Sequence, residues 1–283
     1  MKLFRHRIAG VERPGVVMRD GHYDCTTFGE DYGEKFFETG GLRRLEDFLQ
    51  KEGQNLPQLD SPIDFAPPFQ RPSKIVCIGL NYIDHAKETG ATPPAEPVIF
   101  LKATTSLSGP NDNIILPRGS QKTDWEVELC VVIGKKASYV EEAEAMEYVA
   151  GYCLHNDVSE REYQLERGGT WDKGKGCDSF APLGPYLVTK DEISEVDNLR
   201  LWLKVNGEIM QDGTTSNLLF KIPFLLSYVS RFMTLLPGDV ISTGTPAGVG
   251  LGMHPQVYLK EGDVVELGID GLGEAKQTVI ALP

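Results

Sequence analysis

Asp124-Trp125-Glu126-Val127-Glu128-Leu129-Cys130-Val131-Val132 is the stretch on which the reading of this chain turns. Apolar residues fill 126–133 for the length of a strand, and strand side chains alternate faces with period two. Glu126 and Glu128 therefore project the same way, and Val127, Leu129 and Val131 the other. For an isolated E-x-E the plain alternative is an exposed face with two solvated glutamates. Further along, Asp157 ends the apolar run Tyr152-Cys153-Leu154-His155-Asn156, where a strand would leave its sheet. Should the three carboxylates converge, electrostatics dictates the rest. Two like charges about 4 Å apart repel by about 4 kcal/mol at an effective dielectric near 20, so such a cluster needs protonation or a cation. A set of oxygen donors without Cys or His suits Mg²⁺, Mn²⁺ or Ca²⁺ better than zinc.

Working outward, strand-length apolar runs recur at 75–78, 98–101, 151–155, 199–205, 239–242, 264–269 and 275–280. Helical spacing is confined to 42–51, 141–148 and 223–234. Many strands, few helices and no regular strand–helix alternation predict a mixed, mainly β fold. Ahead of them, Lys2–Ile8 and 15–19 read as two short strands separated by Gly10 and Pro14, with a turn signal at Asp20-Gly21. Five prolines between Pro57 and Pro72 mark an extended segment. The chain is thus expected to divide into a small α+β N-terminal domain with its Pro-rich linker, residues 1–70, and a catalytic domain, residues 71–283.

The 283 residues carry a net charge of −13 and a sequence pI near 4.9. That balance argues against a nucleic-acid partner, which needs clustered Lys and Arg, and against an anionic membrane surface. The 5 cysteines are dispersed without a C-x-x-C pair, as expected in a reducing cytoplasm. Charges at Lys2, Arg5 and Arg7 fall where a signal peptide needs apolar residues. No apolar run approaches the ~20 residues that span a bilayer.

Three further segments carry chemistry. Gly79-Leu80-Asn81-Tyr82-Ile83-Asp84-His85-Ala86-Lys87-Glu88 follows a strand, and in a helix His85 and Glu88 share a face. A carboxylate that orients an imidazole makes a general base near neutral pH, although such a pair is commonly a surface contact. Arg161-Glu162-Tyr163-Gln164 places an arginine, suited to bidentate carboxylate binding, shortly after Asp157. Ser242-Thr243-Gly244-Thr245-Pro246-Ala247-Gly248-Val249-Gly250 is a glycine turn whose N–H groups can approach an anion.

Together and in this order, GLNYIDHAKE, PVIFLKATTSLSGPND, DWEVEL, HNDVSEREYQ, KGKGCDSFAPLGP and STGTPAGVG closely resemble the fumarylacetoacetate hydrolase family from about Lys74 to the C-terminus. The resemblance implies a β-roll catalytic domain behind a small N-terminal domain, in a homodimer. It places the family's metal ligands on Glu126, Glu128 and Asp157, with Mg²⁺ or Mn²⁺ as the ion, and its water-activating dyad on His85 and Glu88. The arginine and glutamine after the metal aspartate fall on Arg161 and Gln164, the active-site lysine on Lys175, and the threonine of the glycine turn on Thr245. The additional metal carboxylate of larger members has no counterpart, and the proline that usually follows F-L-K is Ala103.

The activity so implied is hydrolysis of the C3–C4 bond of a 2,4-diketo acid, the chemistry of hydrolases that act on carbon–carbon bonds in ketonic substances. The segment from Trp171 to Pro185 looks most like the bacterial subgroup acting on 2,4-diketo-3-deoxy-L-rhamnonate or -L-fuconate, which releases pyruvate and a hydroxy acid such as lactate. The same apparatus serves oxaloacetate-type decarboxylation, isomerisation or a ureidoglycolate lyase reaction, because fold and metal site do not select among these. Outside catalysis, the alternative is a module that binds 2-keto acids without consuming them.

Overall fold

The computed structural model describes residues 1–19, 21–88, 90 and 92–282. Asp20, half of the expected turn, lies outside the described residues. Two sheets dominate. The larger runs in the order Gly21–Asp24, Val11–Met18, Lys2–Ile8, Leu187–Thr189, Val149–Asn156, Val127–Ile133, Val240–Ser242, Ile75–Gly79 and Val98–Lys102, and Phe65–Ala66 pairs with Lys2–Ile8 off this path. The smaller runs Glu208–Thr214, Arg200–Val205, Val264–Ile269, Gly273–Ala281, Ile114–Leu116. Within these two sheets pairing is antiparallel except where Val240–Ser242 joins Ile75–Gly79 and Gly273–Ala281 joins Ile114–Leu116. The result is the mixed, mainly β architecture expected from the sequence.

The strand Val127–Ile133 explains this arrangement. It lies inside the larger sheet, with Leu129 opposite Leu154 on one side and Val131 opposite Ile241 on the other. Its alternation feeds two cores at once. Val127, Leu129 and Val131 meet Leu201, Leu203, Val265 and Leu267 of the smaller sheet. Cys130 and Val132 meet Ile75, Cys77 and the N-terminal Leu3, Val16, Tyr32 and Phe36. Burying each large apolar side chain contributes about 1.5–3 kcal/mol, so a register slip, which exchanges the faces, would be opposed by the whole set.

The first 70 residues share this framework. Lys2–Ile8 pairs with Leu187–Thr189, so the sheet runs without a break across the expected boundary at residue 70. The second strand begins earlier than the expected 15–19, at Val11, and contains Pro14 opposite Arg5. Pro14 is tolerated because its carbonyl accepts from Cys25 just past the end of the Gly21–Asp24 ladder. Its missing N–H points to that same side, so no ladder bond is lost. The helix expected over 42–51 occupies Gly41–Glu52, and that over 223–234 occupies Ile222–Ser230. Residues Glu142–Tyr148 form a 3₁₀ segment instead of an α-helix. Among the described residues no helix is long and apolar enough to cross a membrane.

Candidate active site

Glu126, Glu128 and Asp157 converge. Glu126 immediately precedes the strand Val127–Ile133, Glu128 lies within it, and Asp157 follows Val149–Asn156, so adjacent strands deliver the three carboxylates. One oxygen from each lies within 4.8 Å of the others, and all three residues are buried. Cations sit directly against them. Lys175 Nζ lies 2.8 Å from both Glu126 Oε2 and Asp157 Oδ2, and Arg161 Nη2 lies 2.7 Å from Glu126 Oε1. Lys102 Nζ bonds to Asp157 Oδ1 and, at 3.0 Å, to the Val158 carbonyl.

These contacts set the charge states. Burial opposes ionisation of Asp157, yet Lys102 and Lys175 hold its carboxyl below the ordinary range. Burial opposes the Lys175 ammonium as well, but Asp157 and Glu126 outweigh it and raise its pKa. Glu128 goes the other way: burial, then the charges of Asp157 and Glu126, push its carboxyl well above the usual carboxylate range. Ser242 donates through its hydroxyl and Gly244 through its N–H to Glu128 Oε2. Behind them His155 Nδ1 lies 2.6 Å from Ser242 Oγ, and burial pushes that imidazole down to about 3, so it is neutral.

His85 and Glu88 come together on the short helix Ile83–Glu88, with His85 Nδ1 3.5 Å from Glu88 Oε2. The backbone N–H of Gly248 donates to both Glu88 oxygens, at 2.9 and 3.1 Å, which fixes the carboxylate. Gln164 and Thr245 are also brought to the site, where their side-chain oxygens are engaged. Gln164 Oε1 accepts from Arg161 at 3.0 Å. Thr245 Oγ1 donates to the Val127 carbonyl at 2.9 Å and accepts from Gln211 at 2.8 Å. Arg161 is ion-paired within the protein: its Nε donates to Asp124 Oδ2 at 2.8 Å, and its Nη2 lies 2.8 Å from that same oxygen.

Part of this arrangement lines one cavity of about 270 Å³. Its polar lining is His85, Glu126, Glu128, Arg161, Gln164, Lys175 and Thr245. Leu80, Phe100, Leu165, Trp171 and Leu251 line the same cavity, with Lys175 Nζ 5.0 Å from the centroid of the Phe100 ring.

Residues 74–280 match the family model described as fumarylacetoacetate (FAA) hydrolase C-terminal. The chain belongs to the fumarylacetoacetate hydrolase family. A Burkholderia multivorans relative, named only as a hydrolase, is 50% identical over 279 residues, covering 98% of each chain. Among solved structures, a 5-carboxymethyl-2-hydroxymuconate delta-isomerase from Mycobacterium smegmatis is similar at 34% identity and TM-score 0.77 over 100% of both chains. The maleylpyruvate hydrolase from Sphingobium sp. SYK-6, solved with manganese(II) and pyruvate, is similar at 29% identity and TM-score 0.82, again over 100% of both. The family therefore includes neighbours of this chain named as hydrolases and as isomerases.

A divalent metal fits the residues that this family member assembles. The donor set is all oxygen, as a hard cation prefers. Lys102, Lys175 and Arg161 face Asp124, Glu126, Glu128 and Asp157, which leaves one carboxylate uncompensated, and Glu128 is the one driven toward protonation.

Two residues central to this geometry were not singled out in the sequence, Lys102 and Asp124. Lys102 had a local signal: on Val98–Lys102 it shares the buried phase of Phe100, whereas Leu101 is exposed, and a lysine in that phase needs an anion. Asp124 binds Arg161 and accepts from the N–H groups of Trp125, Gly250 and Leu251. Nothing local distinguishes it from the neighbouring acids.

Proposed function

We propose that the protein is a divalent-metal-dependent hydrolase that cleaves the C3–C4 bond of a 2,4-diketo acid into pyruvate and a second carboxylic acid. The observation that carries this reading is a convergent carboxylate triad, two of whose members line one cavity together with a carboxylate-oriented histidine. Glu126, Glu128 and Asp157 would hold Mg²⁺ or Mn²⁺, which supplies Lewis acidity and a template for the 1-carboxylate and 2-keto oxygens when bound.

The chain's own residues then have defined tasks. Glu88, fixed by Gly248, accepts from His85 Nδ1–H and leaves Nε2 free of that proton as the general base. Nε2 takes one proton from a water whose oxygen bonds to C4. Lys175 and Gln164 are placed to stabilise the oxyanion at C4, a role worth about 3–4 kcal/mol per donor in comparable sites. The C3–C4 bond breaks as the C4 carbonyl re-forms, its electron pair passes to C3, and C3 takes up a proton to give the methyl of pyruvate. The preferred substrates are 2,4-diketo-3-deoxy-L-rhamnonate and -L-fuconate, with lactate as second product, in a homodimer of two-part chains.

A time course by NMR with Mg²⁺ and 2,4-diketo-3-deoxy-L-rhamnonate, beside an EDTA-treated control, tests the reading. Metal-dependent appearance of pyruvate with lactate is expected. Carbon dioxide from oxaloacetate with no pyruvate from the diketo acid would make it a decarboxylase, and a rearranged product without cleavage an isomerase.

Metal binding has its own signature. Ligand at 100 times its Kd stabilises a fold by about 2.7 kcal/mol, which for a chain of this size raises Tm by about 5–10 °C. Calorimetric scans with Mn²⁺ and with EDTA should differ by that amount, and coincident scans would remove the metal from the proposal.

Gly79 offers a third check, because a Cβ there would sit 2.3 Å from Trp171 Cζ3. Gly79→Ala should drive the indole toward the cavity and lower kcat/KM by about tenfold or more. Kinetics within twofold of wild type would mean the ring does not bound the substrate.

A further inference from the structure

The two parts of the cavity lining are chemically unlike, and the difference bears on which diketo acid it accepts. Beside the polar groups, the cavity is lined by Leu80, Leu165, Trp171 and Leu251. Trp171 is held there by Phe100, with ring centroids 5.2 Å apart, and by the bare Cα of Gly79. Among the described residues that line the cavity, the lysine and the arginine are both already committed. Lys175 is paired with Glu126 and Asp157, and Arg161 with Asp124 and Glu126. A carboxylate arriving among these apolar side chains would therefore lose part of its hydration and meet cations already paired with protein carboxylates. The volume of about 270 Å³ is also at the small end for ligand sites, which run to roughly 300–1,000 Å³.

We infer that this apolar part of the lining receives the substituent on C4 and selects a short, uncharged group ending in carbon over one ending in a carboxylate. The inference rests on the diketo-acid reading above, since oxygens of C1 and C2 directed at the triad leave the C4 substituent to the apolar part of the lining. The 1-hydroxyethyl group of 2,4-diketo-3-deoxy-L-rhamnonate satisfies it: one hydroxyl, then a methyl.

Three probes separate charge from size: 2,4-dioxopentanoate, 2,4-dioxoheptanedioate, and the 7-methyl ester of the latter. With the Mn²⁺-loaded protein, kcat/KM for pyruvate release should be at least about 100-fold higher for the pentanoate than for the heptanedioate. The ester should recover much of that loss. Leu165, 49% exposed at the rim of the wall, gives a gain-of-function test. The apolar stem of an arginine there can follow the wall and present its charge to the tail, so Leu165→Arg should narrow the ratio by about tenfold.

Calorimetric titration of 2-oxohexanoate against 2-oxoadipate reads the same preference without turnover, and the neutral-tailed acid should bind more tightly. Equal or better turnover and binding of the dicarboxylates would overturn the inference. Pyruvate release without discrimination between tails would sink the inference and leave the hydrolase reading standing. Tighter binding of 2-oxohexanoate with no pyruvate from any diketo acid would sink the hydrolase reading and keep the pocket's preference.

Discussion

Replacing His85 with alanine is expected to lower kcat/KM by about 10²–10⁴-fold, the usual range for loss of a general base, with metal affinity unchanged. The separation follows from the geometry. His85 contacts Glu88, and Glu88 is tied to the Gly248 N–H, whereas the triad is held by Arg161, Lys102, Lys175 and Ser242. Removing the imidazole therefore takes away the proton acceptor and leaves Glu126, Glu128 and Asp157 with their partners. Glu88→Gln should act in the same direction but more weakly, because an amide still offers an oxygen that can orient His85. Steady-state kinetics paired with a metal titration of each variant check this. A His85→Ala protein that keeps turnover within threefold of wild type would show that the base lies elsewhere.

Asp157→Asn should produce the largest loss of stability, about 3–5 kcal/mol, together with loss of the metal. Asp157 anchors two buried ammonium groups, and among the described residues Lys102 otherwise bonds to the Val158 carbonyl. An amide keeps the shape but not the charge, so Lys102 becomes a buried cation without an anion, the situation that makes breaking a buried pair costly. For a chain of this length the Tm should fall by about 6–20 °C. Adding Lys102→Met should return most of that stability, since removing both partners is far less costly than removing one, while metal binding stays lost. Glu128→Gln makes a useful contrast: its carboxyl is already pushed toward the neutral form, so the fold should barely respond. If the double variant is no more stable than Asp157→Asn, the ion pair is not the origin of the loss.

The part of the site legible in the sequence is the part that strand and helix periodicity controls. Glu126 and Glu128 share a face because they are two residues apart, and His85 meets Glu88 because they are three apart on a helix. The convergence of Asp157 with them depends on the pairing of two strands, which residue spacing alone does not fix. The contacts that hold these groups in place join residues still more distant: Lys102 to Asp157, Arg161 to Asp124, and Gly248 to Glu88 across 160 positions. Arg161 shows what residue type alone does not give: its guanidinium suits a substrate carboxylate, and the fold also sets it against Asp124 and Glu126. In the fold, Pro14 misled as a strand breaker because the relevant quantity is which neighbour its nitrogen faces.

The turn after Val240–Ser242 also constrains how this enzyme can diversify. Within a few residues its backbone N–H groups serve Glu128 through Gly244, Glu88 through Gly248, and Asp124, hence Arg161, through Gly250 and Leu251. Any shift of this turn to admit a different molecule would disturb all three anchors together. New specificities are therefore expected to arise by changes in the apolar part of the lining, at Leu165 and Trp171, where a side chain can be exchanged without moving a backbone donor. A directed-evolution library confined to those two positions should yield altered selectivity far more often than one of equal size spread over 244–252.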